Sequence, residues 1–328
     1  MTLFDPVKSI IRVDEISGVL DHTSKNLLKF GVDFLDDALI GILETDLIVL
    51  SGVTGHGKTQ LAMEIALSNA RQHKNVHYIA LEGEDNEIEL RIIYKMVAAL
   101  FFKDPDRPKS VHLTYRTWRY AQQNALLKQY TDKAKKMFKQ RMFTLHTIYG
   151  GGRFRKEDLL STMAKCHQQG AELILADHLH YFDITSGADE NSEVAEIMKA
   201  TREGNLKYKI PTIMLAHLNK NFKKGWPDIS DIMGTSNTGK ICTCAIMVQK
   251  DTKSGDYKNG LFKTIISVPK GRAGGVPLAG IMTFDVTKET YSPDYRLAFM
   301  AADGEVKMLE DKDYPRWAVK RQDLNVLF

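Results

Sequence analysis

The chain has 328 residues, 43% of them apolar, and a formal charge of +4, enough hydrophobic material for one large domain or two small ones. No apolar run approaches the roughly 20 residues of a membrane-spanning helix, so no membrane partner is expected. Met1-Thr2-Leu3-Phe4-Asp5 lacks a secretory leader's layout, and Cys166, Cys242 and Cys244 lack metal-ligand spacing. They read as core residues in a reduced, cytoplasmic compartment.

In chain order, residues 1–30 read as an N-terminal arm containing a short helix, Val7–Leu20, and residues 31–328 as one domain. The first apolar run, Leu47–Leu50, leads into Gly52-Val53-Thr54-Gly55-His56-Gly57-Lys58-Thr59 and then a helical pattern, Lys58–Arg71. A strand feeding a glycine-rich turn that opens a helix is the context of a phosphate-binding loop. The glycines let backbone N–H groups surround a phosphate, Lys58 reaches the β/γ oxygens, and the Thr59 hydroxyl holds Mg²⁺. A merely flexible turn leaves Lys-Thr at the helix start unexplained. The pattern implies binding of a nucleoside triphosphate.

Further strands are expected at Val76–Leu81, Phe143–Ile148, Leu173–Ala176 and Thr212–Ala216. Helices are expected at Glu87–Leu100, Arg116–Gln140, Lys156–Gln169 and Glu193–Tyr208. This alternation predicts an α/β fold, a mainly parallel twisted sheet with helices on both faces. Ala245–Gln249, Phe262–Val268 and Gly280–Phe284 then extend the sheet, partly antiparallel, separated by turn-rich segments such as Lys253-Ser254-Gly255-Asp256. No internal repeat or linker divides the core.

Charge is unevenly spread. From Lys103 to Arg155 there are thirteen Lys/Arg and three Asp/Glu, so the rest of the chain carries a net −6. Nucleic acid or an acidic face of a neighbouring subunit would be attracted there. In the helix expected here, Leu127, Tyr130, Ala134, Met137 and Phe138 form an apolar stripe, and an ordinary solvated face explains the opposing lysines equally.

Hydrolysis needs a metal-anchoring acid and a group that positions water. Asp177 ends an apolar strand, the pattern that sets a carboxylate beside a Mg²⁺ shell. His178 follows it instead of a second acid, so the base is sought elsewhere. Glu82 ends the strand after the phosphate-loop helix and should meet Asp177 in one crevice. A capping or solvated acid is the competing reading, since Glu84 and Asp85 follow. His217 ends a third strand, where a neutral imidazole could sense the γ-phosphate, or serve as a buried structural histidine.

From Phe30 to the mid-280s these motifs resemble the RecA-like hexameric replicative helicases, the DnaB-like and phage T7-type families. Gly31-Val32-Asp33-Phe34-Leu35-Asp36 resembles their preface to the core, Leu81-Glu82 their strand-ending catalytic glutamate, and Ala176-Asp177-His178-Leu179 their metal-binding strand. Ala216-His217-Leu218-Asn219-Lys220 resembles their sensor strand, and Lys270-Gly271-Arg272-Ala273-Gly274 the segment supplying an arginine finger to a neighbour. The resemblance implies a RecA-like P-loop ATPase with ATP and Mg²⁺ as cofactors, assembled as a homo-hexameric ring and moving as a helicase on single-stranded DNA in replication. Primase and other replication proteins are the implied partners, in a bacterial or phage-infected cell. Phe284 corresponds to a base-stacking aromatic or is a core residue, and Lys220, Lys223 and Lys224 lie in a channel-facing loop that would grip DNA phosphates.

Two departures stand out. Met233 occupies a position where these helicases carry arginine, and Asp183–Glu193, a channel loop in the family, carries four acids and no base. A filament-forming recombination ATPase, a nucleotide-switched assembly protein and an RNA motor therefore stay open as readings.

Overall fold

The structure is a computed structural model describing residues 27–120, 125–142, 144–150, 154–182, 190–219, 222, 226–232, 236–272, 274–301 and 306–318. The expected Val7–Leu20 helix, Lys220, Lys223, Lys224 and Met233 lie outside them, as does most of the acidic loop.

One ten-stranded sheet organises the chain. Its parallel half comprises β1 (Leu47–Gly52), β2 (Val76–Ala80), β3 (Leu145–Tyr149), β4 (Leu173–Asp177), β5 (Thr212–His217) and the start of β6 (Cys244–Asp256). Its antiparallel half adds β7 (Leu261–Lys270), β8 (Val276–Asp285), β9 (Thr290–Met300) and β10 (Val306–Met308). The spatial order is β10-β9-β8-β7-β6-β1-β5-β4-β2-β3, with β1 paired in parallel to both β5 and β6. Thus β1, β2, β4 and β5 all end at one edge of the sheet. β7 runs the other way, setting Lys270 opposite Ala245 near the start of β6.

Alternation along the strands builds two cores. Ile48, Leu50, Tyr78, Leu175, Leu215 and Ile246 face α2 (Lys58–Arg71) and α1 (Asp33–Leu39). Val49, Ile79, Ile174, Ala176, Met214 and Ala245 face α6 (Lys156–Gln168) and α7 (Glu190–Tyr208). A smaller third core joins α3 (Glu87–Lys103), α4 (Tyr115–Tyr120) and α5 (Ala125–Arg141) through Tyr94, Phe101, Trp118 and Tyr130. Helices therefore cover both faces, as the alternation predicts. Among the described residues, no helix is long and apolar enough to cross a membrane.

The departures are local. The expected Arg116–Gln140 helix is observed as α4 and α5, and the third strand starts at Leu145, not Phe143. Lys253–Asp256, read as a turn, belongs to β6, whose ladder with β7 is irregular between Lys250 and Gly255. β9 and β10 were not foreseen. All three cysteines are free and buried. Leu28 and Phe30, at the end of the expected arm, are buried in the first core, and the backbone of Lys29 exchanges two hydrogen bonds with the Asn69 carboxamide.

α1 closes the first core over the antiparallel half. Phe34 meets Tyr295 edge-on at 5.6 Å, and a side chain at Gly280 would penetrate its ring. Because this core is dense, Gly280→Ala should cost about 1–3 kcal/mol. Urea unfolding should show it as a lower midpoint; an unchanged midpoint would mean that Phe34 has room to move.

Candidate nucleotide-binding and hydrolytic site

β1 ends at Gly52 because no side chain fits there: a Cβ would penetrate the Val248 carbonyl of β6. The loop then turns through Gly55 and Gly57, whose φ values of 78° and 102° fall in the region that glycine alone enters without strain. Gly57 caps α2, so the helix's unpaired N–H groups face the loop. At the loop's apex, His56 Nδ1 accepts the Lys250 N–H at 3.1 Å, tying it to β6.

Lys58 is buried, and its ammonium donates to the Gly52 carbonyl at 3.0 Å. It also lies 3.3 Å from His217 Nδ1, which in turn is 3.3 Å from Thr54 Oγ1. An ammonium has only protons to give, so Nδ1 is the acceptor and the His217 proton sits on Nε2. Burial, then Lys58 and His180, hold His217 down at about 4, so it is neutral at physiological pH. Burial likewise lowers Lys58, opposed by Asp177 and Glu82.

Asp177 ends β4 beside the start of α2. Its Oδ2 accepts from Thr59 Oγ1 at 3.1 Å and from the Tyr78 hydroxyl at 2.8 Å. Its Oδ1 is buried and has no hydrogen-bond partner among the described residues. A spare carboxylate oxygen beside a threonine hydroxyl suits a hard cation such as Mg²⁺, so these two residues fit the metal the phosphate loop implies. Backbone ties β2 to β4 at this point, Leu81 N–H donating to Asp177 O at 2.6 Å. Glu82 therefore emerges next to Asp177. It is exposed, and its carboxylate accepts from Tyr181.

Lys58, Thr59, Glu82, Asp177 and His217 thus line one cavity of about 480 Å³, together with Thr54, Gly55 and Gly57 of the loop. The structure brings these sequence-predicted residues together. It sets two others apart. Lys270 donates to the Gly239 carbonyl at 2.6 Å, and Arg272 pairs through Nε with Asp46 Oδ1 at 2.5 Å. Asp46 precedes β1, so the length of that strand, roughly 20 Å, separates Arg272 from its own phosphate loop. Phe284 is half-buried outside the cavity lining, 4.9 Å from the Tyr291 ring. The Tyr291 hydroxyl in turn touches the loop at Gly57.

The family model for the DnaB-like helicase C-terminal domain matches residues 28–290. The chain belongs to that family. Among solved structures, the ATPase domain of a DnaB-like helicase superposes on this chain with a TM-score of 0.70 at 14% identity, covering 85% of this chain and 98% of that one. A DnaB-like replicative helicase described with its interactions with primase gives a TM-score of 0.69 at 14% identity, with 85% and 65% coverage. At such identity the superpositions establish the RecA-like fold. Comparison with curated protein sequences finds no match. Family membership supports an NTP-hydrolysing helicase role in replication.

Sequence reasoning missed several residues of this DnaB-like site. Tyr78, fully buried on β2, holds Asp177. Arg91 lines the cavity, its guanidinium bound to Glu87 at 2.7 Å and to Glu289 at 3.4 Å. The Glu87–Arg91 spacing of four on a helix was a legible pair; Glu289 was too distant in sequence. His178 packs against His217, ring centroids 3.7 Å apart, and burial drives its pKa far down. A neutral imidazole thus fills the place after Asp177.

Burial pushes the Asp177 carboxyl up to about 6, against the Tyr78 and Thr59 hydrogen bonds that lower it. A carboxyl raised on folding costs stability when ionised, and the cost fades as pH falls through 6 towards 3.8. Without nucleotide or metal, Asp177→Asn should therefore raise Tm by several degrees at pH 7, from about 2 kcal/mol, with the gain shrinking by pH 4. Thermal unfolding across that range checks it; an equal or lower Tm at pH 7 would contradict it.

Proposed function

We propose that this DnaB-like domain is a ring-forming, Mg²⁺-dependent ATPase, a homo-hexamer that moves along single-stranded DNA as a helicase. Lys58 and the loop amides hold the β- and γ-phosphates, and Asp177 with Thr59 holds the metal, which neutralises phosphate charge when bound. Glu82 takes a proton from water as the water oxygen attacks the γ-phosphorus. The bond to the ADP leaving oxygen breaks, with Lys58 offsetting the charge that develops there. His217 offers its Nε2 proton and signals phosphate loss through β5 into the loop carrying Lys220, Lys223 and Lys224.

The observation that carries this reading is the position of Lys270 and Arg272, at the edge of the sheet opposite their own phosphate loop. Cations that far away have no reach to the chain's own γ-phosphate. They suit a neighbour's site in a head-to-tail ring, where each interface brings one subunit's leading face against the next one's trailing face. The Asp46 carboxylate and Thr45 hydroxyl hold Arg272 at that edge, and 38% of its side chain is exposed. Primase is the partner class that the family suggests.

Steady-state ATPase assays with and without single-stranded DNA test the reading. Wild type should be stimulated strongly, and less so as salt is raised. Lys58→Ala and Glu82→Gln should abolish turnover. Arg272→Ala should lower kcat about 10³-fold or more while nucleotide affinity stays within a few-fold. Full turnover by the Arg272 variant would remove the finger from the mechanism, and turnover indifferent to DNA would remove the motor.

A further inference from the structure

The basic block lies outside the site just described, and its structural setting is specific. α5 turns Leu127, Tyr130 and Ala134 inward onto α3, where Tyr130 meets Phe101 edge-on at 5.5 Å. At 100° per residue, Lys128, Lys135 and Lys139 then share a stripe on the opposite, solvent-facing side. All three are exposed, and none forms an ion pair among the described residues. They span about 16 Å along the helix, roughly five phosphates at the ~3.4 Å spacing of a stacked strand. Beside them, α4 presents Tyr120 with 76% of its surface exposed, next to Arg116 and Arg119.

The patch is wired to the catalytic loop. Trp118 Nε1 donates to Thr131 Oγ1 at 3.0 Å, joining α4 to α5. Arg119 pairs with Glu84 at 2.9 Å, two residues from Glu82. The Tyr115 ring lies 4.7 Å from the guanidinium of Arg91, a cavity-lining residue.

We propose that the α4–α5 face is a second binding surface for single-stranded nucleic acid, separate from the Lys220–Lys224 loop. Lysines neutralise the backbone, and Tyr120 stacks on a base. The inference rests on the nucleic-acid reading above. A contact with another copy of the chain fits the face less well, because lysine is depleted from protein–protein interfaces.

The test is fluorescence anisotropy of a labelled oligo(dT) against salt concentration, on the full chain with nucleotide bound. Lys128→Ala/Lys135→Ala/Lys139→Ala should reduce the slope of log affinity against log salt by about 2, at ~0.7 per phosphate on single strands. The matching Lys→Arg triple variant should restore the slope. Tyr120→Ala should weaken binding roughly five- to hundredfold with the slope unchanged. Retained melting temperature and assembly state in the alanine triple variant, checked alongside, attribute its loss to contacts. An unchanged slope in that variant overturns the proposal, as does a defect confined to assembly, which would make the face an interface between copies. A Lys220→Ala/Lys223→Ala/Lys224→Ala chain measured in parallel separates the failures. If it alone loses the slope, the outer surface falls and the motor stands. If wild type itself shows no salt-sensitive binding, both fall.

Discussion

Strand direction is the constraint on which the site depends. β1, β2, β4 and β5 are parallel neighbours, so their carboxyl ends deliver the phosphate loop, Glu82, Asp177 and His217 to one edge. β7 is antiparallel, so the same sheet carries Lys270 and Arg272 to the opposite edge. Residues far apart in sequence meet without any long loop, and a pair of cations close in sequence to the last strands is kept away. The proposed sharing of sites between subunits is a consequence of that one reversal.

Within the cavity, burial sets the charges. Lys58 is placed in a dry environment that disfavours its charge, and its compensation comes from carbonyls, His217 and the nearby carboxylates. Asp177 is raised by the same burial and keeps one oxygen unpaired. Both groups are therefore costly in the empty site, and both are relieved by a phosphate and a cation arriving together. Neutral His178 and His217 add hydrogen-bonding capacity without adding charge. Stability at this edge has been traded for affinity towards an ionic ligand.

Much of this architecture was legible in the sequence, and the legible part has a physical signature. Buried parallel strands read as unbroken apolar runs, and Gly52–Thr59 is distinctive because several residue types must coincide within eight positions. α2 begins and ends where its pattern predicts. β9 escaped detection because Pro293 interrupts it, and proline argues against a strand unless pairing lapses there. Pairing does lapse: the register shifts between Met282 and Phe284 of β8, opposite the segment between Tyr291 and Tyr295. The Arg272–Asp46 and Arg91–Glu289 contacts were illegible for another reason. Each spans about two hundred residues, and only the assembled sheet reveals which distant charges become neighbours.

The central claim is that an active site requires two chains, and subunit mixing tests it most directly. Lys58→Ala spoils a subunit's phosphate loop but leaves its Arg272 intact; Arg272→Ala does the reverse. Each variant alone should be inactive. Mixed and allowed to reassemble, they should regain ATPase activity, because an intact loop then faces an intact arginine across some interfaces. Activity that stays at background across all mixing ratios, with mixed assemblies shown to form, would contradict the account.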